Sequence, residues 1–187
     1  MKRISSDSID YFTRHQTYSK KKYVEKVRYI SKISLKTGTN LLMTPKPPFG
    51  NFKTVEDYLR SLYSEGVETI VVFLEKHEEN GLIQQYEKLG FNVIHFPIKD
   101  FSTPNSMEHL SEVVHEIRRE LTKHSVAMHC FGGNGRTGLV AASILVQMGM
   151  RAEKAINFVR KYRPEAIETD SQEKFIHDFE FFERFVV

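Results

Sequence analysis

Short β-branched runs alternate with helical periodicity along this chain, and that alternation constrains the fold more than any other feature. VETIVVFL at 67–74 is apolar almost throughout, the pattern of a strand covered on both faces. FNVIHF at 91–96 and SVAMHC at 125–130 repeat the pattern, and stretches of three- and four-residue periodicity separate them. Strands interleaved with helices in one 187-residue chain predict a single α/β domain with a mainly parallel central sheet flanked by helices.

The elements follow from local signals. Residues 30–36 and 40–43 flank Thr37-Gly38-Thr39 as a hairpin, and the proline-rich stretch 44–50 is a loop. Thr54 with Asp57 resembles a capping box for a helix through Val55, Tyr58, Leu59 and Leu62, which Gly66 stops. Leu82, Ile83, Tyr86 and Leu89 mark a helix ended by Gly90. Thr103 is expected as N-cap and Pro104 as first helical residue of a five-turn helix through Met107, Leu110, Val114, Ile117 and Leu121. After residue 130 the pattern is helical only, at roughly 136–148, 152–162 and 170–184, with Pro164 separating the last two.

Composition narrows the function classes. Cys130 is the only cysteine, so no internal disulfide and no zinc cage or iron–sulfur cluster built on several cysteines of this chain is available. With no apolar leader behind MKRISSDSIDYF and no run of about 18 apolar residues, a reducing, cytoplasmic setting is expected. Charge is uneven: residues 1–53 hold twelve Lys/Arg against three Asp/Glu, and residues 54–187 fifteen against twenty-one. Residues 1–29 are accordingly set apart from the domain at 30–187, as a basic segment without fixed structure or an appended helix. Centred on Lys20, Lys21 and Lys22, it is either a solvated terminus or an arm for an acidic partner, nucleic acid or anionic lipid.

Chemistry concentrates in His129-Cys130-Phe131-Gly132-Gly133-Asn134-Gly135-Arg136-Thr137-Gly138. Gly133, Gly135 and Gly138 satisfy GxGxxG, but no further strand with an acidic end follows, so a dinucleotide site fails on context; a Walker A loop fails for want of a lysine before Thr137. What remains is a cysteine ending a strand, five loop residues, and an arginine opening a helix. Gly132, Gly133 and Gly135 allow the backbone conformations that turn successive N–H groups inward, and the helix start adds its own free N–H groups. Arg136 can grip two oxygens of a phosphate with its planar fork. A thiol in that field ionises more readily than a free one, and a thiolate facing a phosphate monoester is an in-line nucleophile. The competing reading of Cys130 is a buried structural cysteine.

HCFGGNGRTG resembles the active-site signature of the cysteine-dependent protein tyrosine and dual-specificity phosphatases, HCxxGxxR followed by Ser or Thr. LLMTPKPPFG at 41–50, PIKDFSTPN at 97–105 and RPEAIETDSQEKF at 163–175 are similar to stretches of its compact branch, which includes the kinase-associated phosphatases; together they span about residues 30–185. The resemblance implies a protein tyrosine phosphatase-like fold and a cofactor- and metal-independent hydrolase acting on phosphorylated protein. It implies Cys130 as nucleophile, Arg136 as phosphate ligand, Asp100 as general acid and base, His129 as loop organiser, Thr137 as donor to the departing sulfur, and Gln172 as the residue that positions water. Phe131, Gly132, Gly133, Asn134 and Gly135 would line the phosphate. Glu75, Glu78 and Glu79 compete for the acid role but are assigned to a loop and a charged surface helix. The loop lacks the lysines that phosphoinositide phosphatases carry there, and KVRY at 26–29 is too short a match to tyrosine-specific enzymes to weigh. Two alternatives stay open: an RNA 5′-triphosphatase on the same scaffold, and a phospho-binding module without turnover.

Overall fold

The computed structural model describes residues 29–185. The basic residues 1–28, most of the segment set apart in the sequence, lie outside the described residues, as do the first three residues of KVRY.

Five strands form one sheet: β1 (Ser31–Ser34), β2 (Asn40–Thr44), β3 (Val67–Val72), β4 (Asn92–His95) and β5 (Ser125–His129), in the order β1-β2-β5-β3-β4. Only the β1–β2 hairpin is antiparallel; β2, β5, β3 and β4 run parallel. Side chains alternate between two cores, as the two-residue strand period requires. Leu41, Met43, Val71, Val126 and Met128 face one core, with helices α4 (Met107–Leu121), α5 (Gly135–Gln147), α6 (Ala152–Tyr162) and α7 (Asp170–Phe185). Leu42, Ile70, Val72 and Ala127 face the other, with α1 (Val55–Ser64) and α3 (Leu82–Lys88). The near-continuous apolar runs of β2, β3 and β5 thus reflect a sheet covered on both sides, whereas the edge strand β4, expected from FNVIHF to be buried alike, is exposed at both ends and half-buried between.

The last strand in sequence is central in space. β5 sits between β2 and β3, so the segment leaving its carboxyl end emerges over the middle of the sheet edge, where open α/β sheets bind ligands. α5, which follows it, is buried from Gly135 through Val146, and this explains its apolar character all round.

Several sequence expectations need correction. Thr103 does not cap α4: Ser106 does, its Oγ accepting from His109 N at 3.0 Å, and the helix starts at Met107. Thr-Pro has the form of a cap plus first turn, but a Ser followed by a Glu–His turn caps as well and lies closer to the apolar stripe. The helix is therefore 15 residues, about four turns rather than five. Leu89, expected on the apolar face of α3, is instead its half-exposed C-cap. A four-residue helix, α2 (Lys76–Glu79), has no periodicity to reveal it in sequence. Thr54 caps α1 as expected, accepting from Asp57 N at 3.1 Å.

Ser106→Ala should cost about 1 kcal/mol of stability, the usual value of an N-cap, whereas Thr103→Ala should stay within about 0.5 kcal/mol. Urea denaturation of the two variants checks the assignment; the opposite order would return the cap to Thr103.

Candidate active site

The segment from Cys130 to Asn134 bridges β5 and α5, and its carbonyls are held on the outside. Cys130 O accepts from His129 Nδ1 at 3.2 Å, Phe131 O from Lys46 N at 2.9 Å, and Gly132 O from an Arg163 guanidinium nitrogen at 2.8 Å. In a trans peptide the N–H points opposite the C=O. The amides of Phe131, Gly132 and Gly133 are thereby turned to the inner side, and Gly133 N donates to Cys130 Sγ at 3.2 Å. Amides converging on one point form an anion-binding concavity, and the N-terminus of α5 closes it.

The glycines serve this loop in two ways, not the single way inferred from sequence. Only Gly133 has a positive φ, +75°, and a Cβ there would collide with the Thr44 carbonyl and come within 2.7 Å of Pro45 N. Gly135 has ordinary torsions but no room, since a Cβ would press into the Glu168 carboxylate and lie 3.0 Å from Gln172 Nε2. Gly132 has a Cβ position with only Asn134 Nδ2 nearby, at 3.9 Å, so neither torsion nor space demands glycine there.

Arg136 is 1% exposed and heavily engaged. Glu78 grips it as a fork, Oε2 2.7 Å from one terminal nitrogen and Oε1 3.1 Å from the other. Ile98 O accepts from it at 3.0 Å, and Asp100 Oδ1 forms a second ion pair at 2.9 Å. Burial works against the guanidinium charge, but the Glu78 hydrogen bonds, Cys130 and Asp100 outweigh it and push the Arg136 pKa up. Burial likewise acts to raise Glu78, and the Arg136 hydrogen bond and Glu75 amide outweigh it, holding that carboxyl below its usual value. The surface-helix expectation for Glu78 is thereby corrected. It sits in α2 with its side chain 12% exposed, and it holds the Arg136 guanidinium from both terminal nitrogens. A glutamate at the third position of a four-residue helix gives no signal in sequence. Two donors have no partner among the described residues, Arg136 Nε and Thr137 Oγ1, both buried.

Asp100 stands on the opposite side, on the loop between β4 and α4, half exposed and in contact with Arg136. The next residue, Phe101, has φ +54° and a side chain 62% exposed, a left-handed conformation that costs a non-glycine residue about 1 kcal/mol or more. Phe131, in the loop itself, is also 62% exposed, with Lys46 Nζ 5.8 Å from its ring centre. These rings flank the concavity.

Behind the loop the groups are buried. His129 is fully buried with Nδ1 donating to Cys130 O, so Nε2 must accept, and Tyr86 Oη donates to it at 3.1 Å. Burial, with smaller contributions from Lys46 and Arg136, lowers the His129 pKa to about 4, which keeps the ring neutral near pH 7. Gln172 is also fully buried, contrary to the exposed position common for a glutamine in a first helical turn. Its Oε1 accepts from Glu168 N at 2.9 Å and Nε2 donates to Ser102 O at 3.1 Å, so it ties α7 to the loop bearing Asp100. Asn134 contributes Oδ1 to Arg163 Nε at 2.6 Å, away from the concavity. Arg163 begins the stretch at 163–175, but nothing in that stretch signals its contact with the loop.

The structure thus brings Cys130, Arg136, Asp100 and the loop amides together and leaves His129 and Asn134 as supports, while the Thr137 hydroxyl, expected to donate to the sulfur, makes no hydrogen bond to Cys130 Sγ. Among the described residues no group of three or more His, Cys, Asp or Glu is arranged to hold a metal ion, and no helix is long and apolar enough to cross a membrane.

The chain is similar in sequence and in fold to known proteins. A family model described as "Polymorphic toxin system, DSP-PTPase phosphatase" matches residues 47–150. Cyclin-dependent kinase inhibitor 3 of Homo sapiens is 32% identical over 136 residues, which is 68% of this chain and 64% of that protein. A putative tyrosine phosphatase, 067L, of Invertebrate iridescent virus 3 is 28% identical over 138 residues, 70% of this chain and 56% of that one. The chain thus spans under two thirds of the length of these curated relatives. Among solved structures, Tk-PTP in its active form superposes with a TM-score of 0.66 at 30% identity, over 75% of this chain and 91% of that one. Kinase associated phosphatase carrying a serine in place of its catalytic-site cysteine gives a TM-score of 0.71 at 28% identity, over 87% and 98%.

The buried neutral His129 has a pH signature. Its pKa is depressed in the folded state, from 6.5 to about 4, so its contribution is complete above pH 6.5 and is lost as pH falls through 4. Stability to urea should fall between those limits by up to roughly 3 kcal/mol, because each pH unit separating the two values is worth about 1.4 kcal/mol. His129→Gln should flatten the profile in that window; an unchanged slope would show that the histidine is not held neutral.

Proposed function

Because the chain belongs to the dual-specificity and protein tyrosine phosphatase family, we propose that it hydrolyses phosphotyrosine, and phosphoserine or phosphothreonine, in proteins through a phosphocysteine at Cys130. The observation that carries this reading is the sulfur itself: Cys130 Sγ accepts from Gly133 N at the base of the inward amides, beside an arginine already oriented by Glu78.

The geometry supports the following steps. A phosphate monoester enters with its nonbridging oxygens on the loop amides and on Arg136, whose Nε is free to donate. Cys130 attacks phosphorus as a thiolate; the S–P bond forms, the P–O ester bond breaks, and protonated Asp100 gives its proton to the leaving oxygen. Water then attacks the phosphocysteine, Asp100 takes its proton, and the P–S bond breaks. The released thiolate is received by Gly133 N and by the unpartnered Thr137 hydroxyl. The Glu78 fork keeps Arg136 planar to the incoming oxygens throughout. Gln172 braces the Asp100 loop through Ser102 O and stands beside Gly135, a position that supports a role in ordering the attacking water.

The exposed Phe131 and Phe101 suit an aromatic or extended peptide substrate better than a highly charged headgroup. Phosphorylated protein is therefore the substrate class, and the first 28 residues are assigned no part in it.

Hydrolysis of an aryl phosphate should proceed normally with a metal chelator present, and complete loss on chelation would remove the thiol mechanism. Cys130→Ser should abolish turnover while phosphate binding persists. Asp100→Ala should lower kcat on phosphoserine peptides by about 10²- to 10⁴-fold and much less on activated aryl phosphates. Release of phosphate from 5′-triphosphate RNA with none from phosphotyrosine peptides would transfer the assignment to RNA.

A further inference from the structure

Arg163, which follows α6 at the start of the turn into Pro164, is a buried cation with an unusual set of partners. It is 8% exposed, yet every hydrogen bond it makes goes to a neutral oxygen: Asn134 Oδ1 at 2.6 Å, Gly132 O at 2.8 Å, Tyr29 O at 3.3 Å and Ser31 Oγ at 3.4 Å. Among the described residues no carboxylate comes within ion-pair distance of it. The other buried arginine of the site, Arg136, has Glu78 and Asp100. Burying a guanidinium without a counter-charge is costly, and such groups persist where an anion is supplied in another way.

The anion is one peptide bond away. Gly132 O, which accepts from Arg163, and Gly133 N, which donates to Cys130 Sγ, belong to the same peptide unit. The cation therefore pulls the carbonyl outward, fixes the plane, and aims the N–H end of the same dipole at the sulfur. Its second contact, on Asn134 Oδ1, holds the residue that enters α5. Burial lowers the Arg163 pKa, and the largest opposing influence is Cys130, ahead of Glu165 and Glu168.

We propose that Arg163 is a positioning residue and second cation of the phosphate site, acting on Cys130 and on bound phosphate from behind the loop through the Gly132–Gly133 peptide. The proposal rests on the phosphatase reading for its purpose, but its physical content concerns only the sulfur and an oxyanion. The other charge facing Cys130 is Arg136 from α5, with Glu78 of α2 and Asp100 of the β4–α4 loop on its guanidinium; Lys46 from the β2–α1 loop lies over the Phe131 ring and acts on His129, which is neutral. Among the described residues Arg163 differs from Arg136 in forming no ion pair with a carboxylate, Glu165 and Glu168 acting on it only from beyond that distance, and from both cations in acting from behind the loop.

The test separates charge from scaffolding. The rate of Cys130 alkylation by iodoacetamide is measured against pH, and tungstate binding by calorimetry, in the full chain and in Arg163→Gln and Arg163→Lys. Arg163→Gln should move the alkylation midpoint up by about one pH unit, the scale on which a single nearby charge acts, and weaken tungstate about tenfold or more. Arg163→Lys should keep the midpoint close to that of the unsubstituted chain although its melting temperature falls. Equal midpoints in all three proteins, or equal displacement in Gln and Lys, would reduce Arg163 to a structural tie. If Arg163→Gln does not fold, Arg163→Met takes its place as the uncharged variant: a raised midpoint in Arg163→Met with an unmoved one in Arg163→Lys supports the charge, and equal midpoints in Arg163→Met and the unsubstituted chain overturn it. Failure of the phosphatase reading shows separately, as absence of aryl phosphate turnover by the unsubstituted chain.

Discussion

Three carbonyls turned outward determine the chemistry of this molecule. A backbone amide can face an anion only if its carbonyl partner finds a donor on the other side, because the peptide plane ties the two together. Here the donors come from three separate parts of the chain: the imidazole of His129, the backbone of Lys46 and the guanidinium of Arg163. The loop owes its shape to these outer partners as much as to its glycines, of which only Gly133 needs a left-handed backbone.

The rest of the fold brings those donors within reach. β5 lies between β2 and β3, so the segment after β2 that carries Lys46 passes beside the loop. The Cys130 carbonyl fixes Nδ1 of His129 as the donor, and α3 supplies the Tyr86 hydroxyl that donates to the far nitrogen. The turn after α6 supplies Arg163, and α2 supplies the Glu78 fork that fixes Arg136. Each support comes from a different element, so the site is as rigid as the packing of the whole sheet. The Asp100 loop is a half-exposed part of this assembly, anchored to α7 through Gln172.

The centre of the site is legible in the sequence and its surroundings much less so. Cys130 and Arg136 announce themselves by standing six positions apart between a strand and a helix, and strand patterning carries the parallel sheet. Glu78 is invisible because its helix is one turn long and too short for periodicity; its meaning arises only when α2 is set against α5. Arg163 looks like an ordinary charge at a helix end, since no local pattern reports that a side chain will be buried against a loop 31 residues away. Thr103 outranks Ser106 as the expected cap because Thr-Pro is the stronger local signal, while the helix start is decided by where α4 meets the sheet. Local chemistry is written in local sequence, and the partners that orient it are written in tertiary packing.

The central claim is that the sulfur of Cys130, held by an inward amide, is the atom that receives the phosphoryl group. Rapid acid quench of the enzyme during turnover of an aryl phosphate, followed by peptide mass analysis, tests it most directly. The account predicts one phosphoryl group on the peptide containing Cys130, accumulating to near stoichiometry when its hydrolysis is slowed by replacing Asp100. Continued turnover with no phosphoryl group on Cys130, or with the group on another side chain, would contradict it.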